Sequence, residues 1–156
     1  VGRDRPRRWP HLTPPLRVAG TDYTHSPRVL AQVNKLAAIN AAIEVDLTGQ
    51  VNAEVVAGKY VGAVGGAMDF LRAAAISEGG LPIVALPATA RGQSRIVAQL
   101  SGPVSTPRAD AGLIVTEHGV ADLRGLSLRQ RVHAMLAIAA PEHRDILAAT
   151  ARPLLQ

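Results

Sequence analysis

From Ile43 to Val55 the apolar side chains fall on every second residue, and that alternation commits the stretch to extended backbone. Ile43, Val45 and Leu47 alternate with Glu44 and Asp46, Thr48-Gly49 supplies a turn, and Val51, Ala53 and Val55 resume the pattern. Side chains two apart on a strand share a face, so the segment reads as a β-hairpin with one apolar and one polar face. Glu44 and Asp46 share the polar face. A carboxylate pair can act as acid and base, but a solvated outer face is the expectation here. Asn40 and Asn52 flank the hairpin as candidate hydrogen-bonding partners for a polar ligand.

On either side of the hairpin the period changes. Val29, Leu30, Val33 and Leu36 have helical spacing, with Ser26 as N-cap and Pro27 suited to the first helical position, so a helix is predicted over Pro27–Ala38. After the hairpin, glycines crowd together (Gly58, Gly62, Gly65, Gly66) before a helix-like stretch, Ala67–Ser77, that Gly79-Gly80 ends. Short apolar strands are predicted at Pro82–Leu86, Arg95–Leu100 and Gly112–Thr116. Ser127 and Gln130 have the spacing of a capping box ahead of a helix over Leu128–Ala139. Pro141 opens a last helix running to about Ala151. This order predicts an α/β domain built on an open mixed sheet flanked by helices, spanning 21–156. Residues 1–20, with Pro6, Pro10, Pro14 and Pro15 and no periodic pattern, are expected to form an extended basic arm or linker.

With aromatics at only 3% of the 156 residues, Val, Leu, Ile and Ala must fill the core. The absence of Cys excludes disulfides, thiolate nucleophiles and Cys-based metal sites. No apolar run approaches the roughly 18 residues of a membrane span, and the N-terminus lacks the apolar stretch of a secretory signal, so a cytoplasmic protein off the membrane is expected. Val1 in place of an initiator Met is expected of a processed chain or of part of a longer one. The net charge of +5 is concentrated in Arg3, Arg5, Arg7 and Arg8. A basic surface can attract nucleic acid, acidic lipid or a phosphorylated cofactor, or be no more than an Arg-rich, solvated tail. Scarce aromatics and the lack of any nucleic-acid motif argue against the first.

Three features point to chemistry. In Gly62-Ala63-Val64-Gly65-Gly66, glycine permits close backbone approach, and a loop opening a helix aims free N–H groups at an anion or a developing oxyanion. It is neither a dinucleotide fingerprint nor a P-loop. Thr116-Glu117-His118 follows an apolar strand, where sites of open α/β sheets gather. Arg91, Arg95 and Arg108 sit near turn residues and suit phosphate groups. His11, His25, His118, His133 and His143 show no metal-ligand spacing, so no metal is expected. His143-Arg144-Asp145 imitates a kinase catalytic loop, but Thr150 stands where that loop needs Asn.

Together these stretches resemble the acetyl-CoA hydrolase/4-hydroxybutyrate CoA-transferase family. The resemblance rests on 39–53 (Ile-Asn-Ala-Ala-Ile-Glu-Val-Asp-Leu-Thr-Gly-Gln-Val-Asn-Ala) and on Gly62-Ala63-Val64-Gly65-Gly66-Ala67-Met68-Asp69-Phe70. It also rests on Leu86-Pro87-Ala88-Thr89-Ala90-Arg91-Gly92 and on 115–125, which contains Thr116-Glu117-His118-Gly119 and Asp122-Leu123-Arg124-Gly125. The resemblance implies a CoA-transferase-like C-terminal domain acting on acyl-CoA and a small carboxylate. In such enzymes a glutamate attacks the thioester and a glutamyl-CoA intermediate passes CoA onward.

That nucleophile belongs to a motif upstream of this sequence, so the chain alone is expected to be inactive without the N-terminal half, and a homodimer is a candidate assembly. By the same resemblance Gly66 is the oxyanion-hole N–H donor with Gly65 shaping the loop. Ile43 and Arg91 (often Lys in the family) line the CoA site, and Glu117 is an active-site carboxylate rather than the nucleophile. His25, where the family often has Asn, and Asn40 are candidate substrate contacts. A non-catalytic CoA- or nucleotide-binding module remains the alternative.

Overall fold

The computed structural model describes residues 18–152, so the predicted arm falls almost wholly outside the described residues. Two single-turn helices open the fold, α1 (Thr21–Thr24) and α2 (Pro27–Leu30). The helix predicted to reach Ala38 stops at Leu30. Lys35 takes a left-handed backbone (φ 55°), and Ala37–Ala41 becomes strand β1 instead. Its hydrogen-bonding partner is β6 (Leu81–Ala85), paired in parallel with Ala37 opposite Leu81. Pairing across so long a separation overrides the local helical period.

The main sheet has the order β1-β6-β10-β11, where β10 is Leu113–Thr116 and β11 is Gly119–Asp122. Its first three strands are parallel and the last is antiparallel to β10. Alternate residues point to opposite faces. Ala38, Pro82, Val84, Ile114 and Ala121 face a buried layer supplied by α3 (Ala67–Ile76) and α4 (Leu128–Ile138). Leu71 and Ala74 of α3 and Val132, Met135 and Ile138 of α4 belong to one continuous core. The predicted capping box is present: Ser127 Oγ accepts from Gln130 N, and Gln130 Oε1 accepts from Ser127 N. The final helix forms as a 3₁₀ turn, Pro141–His143, leading into α5 (Arg144–Thr150).

The hairpin is β2 (Glu44–Asp46) and β3 (Val51–Asn52), with Val45 opposite Val51. A third strand, β9 (Ile96–Val97), lies parallel to β2, so the strand predicted at 95–100 is shorter than expected. The outer face is not solvated. Glu44 and Asp46 are only 5% and 4% exposed. Asp46 Oδ1 accepts from the N–H groups of Thr48 and Gln50 (2.8 and 3.0 Å) and from Thr48 Oγ1 (2.7 Å), while Oδ2 accepts from Gln50 Nε2 (2.7 Å). Glu44 Oε1 accepts from Asn52 Nδ2 (2.9 Å), Ser101 N (2.6 Å) and Ser101 Oγ (2.9 Å). Buried carboxylates require such partners. The pair is therefore a turn-former and a loop anchor rather than an acid and a base.

Two further hairpins escape sequence reading. β4 (Val55–Val56) pairs β5 (Lys59–Tyr60), and β7 (Thr89–Ala90) pairs β8 (Gln93–Ser94). Their two-residue loops, Ala57-Gly58 and Arg91-Gly92, have positive φ at both positions (49° and 75°, 53° and 73°). Those angles define the type I′ turn, whose twist matches that of the flanking strands.

Candidate active site

Parallel strands present their carboxyl ends along one edge, and three of the sequence motifs emerge there. Ile43 follows β1, the segment Leu86-Pro87-Ala88 follows β6, and Glu117 follows β10. Helix α3 returns to β6 through a connection of only four residues, 77–80, so it runs against the strands. Its N-terminus, with Gly65 and Gly66, lies toward the same edge.

The two glycines are needed for different reasons. Gly65 has φ 56° with open space around it, so the left-handed backbone is what excludes other residues. Gly66 has an ordinary φ of −95° as N-cap of α3, but a Cβ there would collide with the His25 ring. His25 is in turn held edge-on against Phe70 (centroids 5.1 Å apart, 76° between planes), and its Nδ1 lies 3.0 Å from Thr24 Oγ1. His25, Gly65 and Gly66 share a cleft of about 770 Å³ with Asp22, Ser26 and Asp69. The first N–H groups of a helix have no intrahelical acceptor, so this wall of the cleft offers donors to an oxyanion.

Ile43 and Arg91 meet in a second cavity of about 940 Å³, floored by Glu44 and Ser101 and flanked by the two type I′ hairpins. The hairpins bring Lys59 and Arg91 to it, and Arg95 and Ser94 complete its polar lining. A guanidinium at the tip of a turn that favours Asn or Gly is exposed and conformationally costly, on the order of 1 kcal/mol. Arg108 lies elsewhere: its carbonyl accepts from the half-buried Arg131 guanidinium (2.8 Å), which also donates to Thr48 O (3.2 Å).

Glu117 and His118 form the two-residue turn between β10 and β11, with Thr116 opposite Gly119. Glu117 Oε2 accepts from Ala88 N (2.8 Å), which ties the loop after β10 to the loop after β6. That bond, then one from its own N–H and the nearby His118 imidazole, hold the Glu117 carboxyl below the usual carboxylate range. At neutral pH Glu117 is an anion, half-exposed, and suited to accepting hydrogen bonds rather than donating a proton. Asn40 sits on the helix-covered face of β1 opposite Val84, three residues before Ile43. Thus His25, Gly65 and Gly66 share one cleft, and Ile43 and Arg91 share another. Glu117 joins the Arg91 loop through Ala88, and Asn40 lines neither cleft. Sequence reasoning missed Lys59 and Ser101, which reach the second cavity only through tertiary structure.

Among the described residues no group of three or more His, Asp or Glu is placed to hold a metal ion. No described helix is long and apolar enough to cross a membrane.

The sequence matches the family model of the acetyl-CoA hydrolase/transferase C-terminal domain over residues 2–151. It is 46% identical over 130 residues to a succinyl-CoA:acetate/propanoyl-CoA:succinate CoA transferase of Fasciola hepatica, covering 80% of this chain and 27% of that protein. It is 40% identical over 138 residues to a 4-hydroxybutyrate coenzyme A transferase of Clostridium kluyveri, covering 86% and 32%. The crystal structure of a 4-hydroxybutyrate CoA-transferase from Porphyromonas gingivalis superposes with a TM-score of 0.75 at 38% identity, over 90% of this chain and 32% of that one. The chain thus spans about a third of the length of these relatives. It belongs to the acetyl-CoA hydrolase/transferase C-terminal domain family.

Proposed function

We propose that this chain is the C-terminal part of an acyl-CoA:carboxylate CoA-transferase or acyl-CoA hydrolase, contributing CoA-binding and oxyanion groups to a glutamate nucleophile from a preceding portion. The observation that carries this reading is convergence: the Gly65-Gly66 helix entry, the Arg91 turn loop and the Glu117 turn all lie toward one edge of the sheet, and the Glu117–Ala88 hydrogen bond joins the last two loops. The carboxylates lining the Gly66 cleft are Asp22 and Asp69, so a glutamate must come from outside it.

The glutamate carboxylate attacks the thioester carbonyl; the carbonyl oxygen becomes an oxyanion stabilised by the Gly66 N–H at the start of α3. Collapse expels CoA thiolate and leaves an acyl-glutamyl anhydride. The thiolate attacks the glutamyl carbonyl, releasing the acyl group as a carboxylate and leaving a glutamyl-CoA thioester. An incoming carboxylate reverses the sequence and leaves as its CoA ester. Water attacking an intermediate gives hydrolysis instead, a branch in which Glu117, held as an anion, serves as hydrogen-bond acceptor for the water. Arg91, with Lys59 and Arg95 beside it, meets the phosphates of CoA while Ile43 packs on its apolar arm.

The test fuses this chain to the preceding portion of the Clostridium kluyveri relative and follows CoA exchange between acetyl-CoA and butyrate. The fusion should turn over and carry a CoA-sized mass adduct on a glutamate of that portion. Arg91→Ala should raise the Michaelis constant for acetyl-CoA about tenfold or more with little change in kcat, as expected of uniform binding. Turnover by the isolated chain, abolished by Glu117→Gln, would overturn the reading.

A further inference from the structure

A hydroxyl has one proton to give, and at Thr24 it is already committed. Thr24 Oγ1 donates to Gly20 O (3.2 Å), one turn back along α1. Its 3.0 Å contact with His25 Nδ1 is therefore a donation from the ring to the hydroxyl. These partners assign the tautomer: in the neutral imidazole the proton sits on Nδ1, and Nε2 carries a lone pair. Nε2 has no hydrogen-bond partner among the described residues. The ring edge that carries it lies against Gly66, where an added Cβ would collide with Cδ2 and Nε2. Phe70, packed edge-on, holds the ring in that attitude. A basic nitrogen is thus fixed in the same cleft as the Gly66 N–H. Asp22 and Asp69 are the other titratable groups lining it. A carboxylate accepts a hydrogen bond but is a weak base at neutral pH, whereas imidazole takes up protons there. The same limit applies to Glu117, whose carboxyl is held below the usual range.

We propose that His25 Nε2 is the general base that delivers the acyl-glutamyl intermediate to water, so that this residue sets how far the enzyme hydrolyses acyl-CoA rather than transferring CoA. This rests on the functional reading above, which supplies the intermediate. Nε2 takes a proton from water as the water oxygen bonds to the acyl carbon. The carbonyl electron pair moves onto the oxygen that the Gly66 N–H holds. When this oxyanion collapses, the bond from the acyl carbon to the glutamate oxygen breaks. The glutamate leaves as carboxylate, the acyl group leaves as free acid, and the imidazolium passes its proton to the CoA thiolate. Acyl-CoA and water have then become a carboxylic acid and CoA. While the ring carries its positive charge, Asp22 and Asp69 share the cleft with it.

The experiment takes this chain fused to the preceding portion of the Clostridium kluyveri relative. It measures in one reaction the acetate released from acetyl-CoA and the CoA passed to butyrate. His25→Asn keeps an N–H near the Nδ1 position for Thr24 and removes Nε2, whereas His25→Gln leaves an amide near Nε2 that cannot take a proton. Each should lower the ratio of hydrolysis to transfer about 100-fold or more, the scale of general-base catalysis. Imidazole added to the solution should restore hydrolysis to His25→Ala. In the unsubstituted fusion the ratio should fall between about pH 8 and about pH 5, because protonation removes the Nε2 lone pair. In His25→Gln it should stay flat. Nitrogen-15 shifts should place the neutral-ring proton of His25 on Nδ1. Melting curves show which variants fold, and the pH profile of the unsubstituted fusion stands whatever they show. Four results would each overturn the proposal: transfer without hydrolysis, hydrolysis and transfer falling together in both variants, a ratio that His25→Gln preserves, or a neutral ring protonated on Nε2. The two readings fail separately. A CoA adduct on glutamate with hydrolysis indifferent to His25 removes the base and leaves the enzyme. Hydrolysis that depends on His25 without any such adduct does the reverse.

Discussion

Gly66 and His25 occupy a space that admits only one side chain, and this sets the sharpest residue-scale expectation. Gly66→Ala should destabilise the fold by about 1–3 kcal/mol through overpacking and lower kcat of the reconstituted enzyme about 100-fold by displacing the N–H donor. Adding His25→Ala should return the melting temperature most of the way, a coupling that a double-mutant cycle of thermal melts measures. Glu117 gives a pH expectation. Its folded-state pKa lies below the ordinary 4.5, so it contributes stability above that value and loses the contribution as pH falls through the folded value. The effect is small because the group is exposed. A carbon-13 titration of the carboxyl should show the depressed midpoint, and blocking the Ala88 N–H with Ala88→Pro should move it back up. Gly65, Gly66, Arg91 and Glu117 stood out in the sequence because loop chemistry is local. His25 entered only through the family resemblance, and its contact with Gly66 had no local signal, since nothing local brings a helix turn 41 residues upstream onto that glycine.

At the scale of elements, the β2–β3 hairpin shows both what alternation reveals and what it hides. Its strands and turn were legible because period two and Thr48-Gly49 are local signals. Its burial on both faces was not, because the outer face is covered by the irregular segment that carries Ser101, Ser105 and Thr106. Asp46→Ala strands the N–H groups of Thr48 and Gln50 together with the Thr48 hydroxyl. The expected loss is about 3 kcal/mol, read from urea unfolding, with the main-sheet residues still native by NMR at low denaturant. Strand β1 was misread for the opposite reason. Ala-Ala-Ile-Asn-Ala has little strand preference of its own and is extended only because β6 pairs with it. The short hairpins at Ala57-Gly58 and Arg91-Gly92 were invisible because their first turn residues are not the Asn or Gly that announces a type I′ turn.

For the whole molecule, the fold class followed from element order, whereas the distribution of buried and bare faces did not. A sequence records which residues alternate but not which of two apolar faces finds a partner. Charge belongs to this scale as well. A net +5, with Lys59, Arg91 and Arg95 at one cavity, should make CoA affinity salt-dependent. Calorimetry on the reconstituted enzyme should show weaker binding from about 0.05 to about 0.5 M salt, as the screening length drops below about 10 Å. Arg91→Ala should flatten that dependence. The parallel pairing of Ala37–Ala41 with Leu81–Ala85 has a temporal consequence as well. Partners so far apart in the chain can meet only after a long loop closes, while the β10–β11 hairpin and the β2–β3 hairpin need only local closure. During synthesis the strand carrying Asn40 must wait, unpaired and uncharged, until β6 has left the ribosome. It is the segment for which a chaperone would have the longest opportunity.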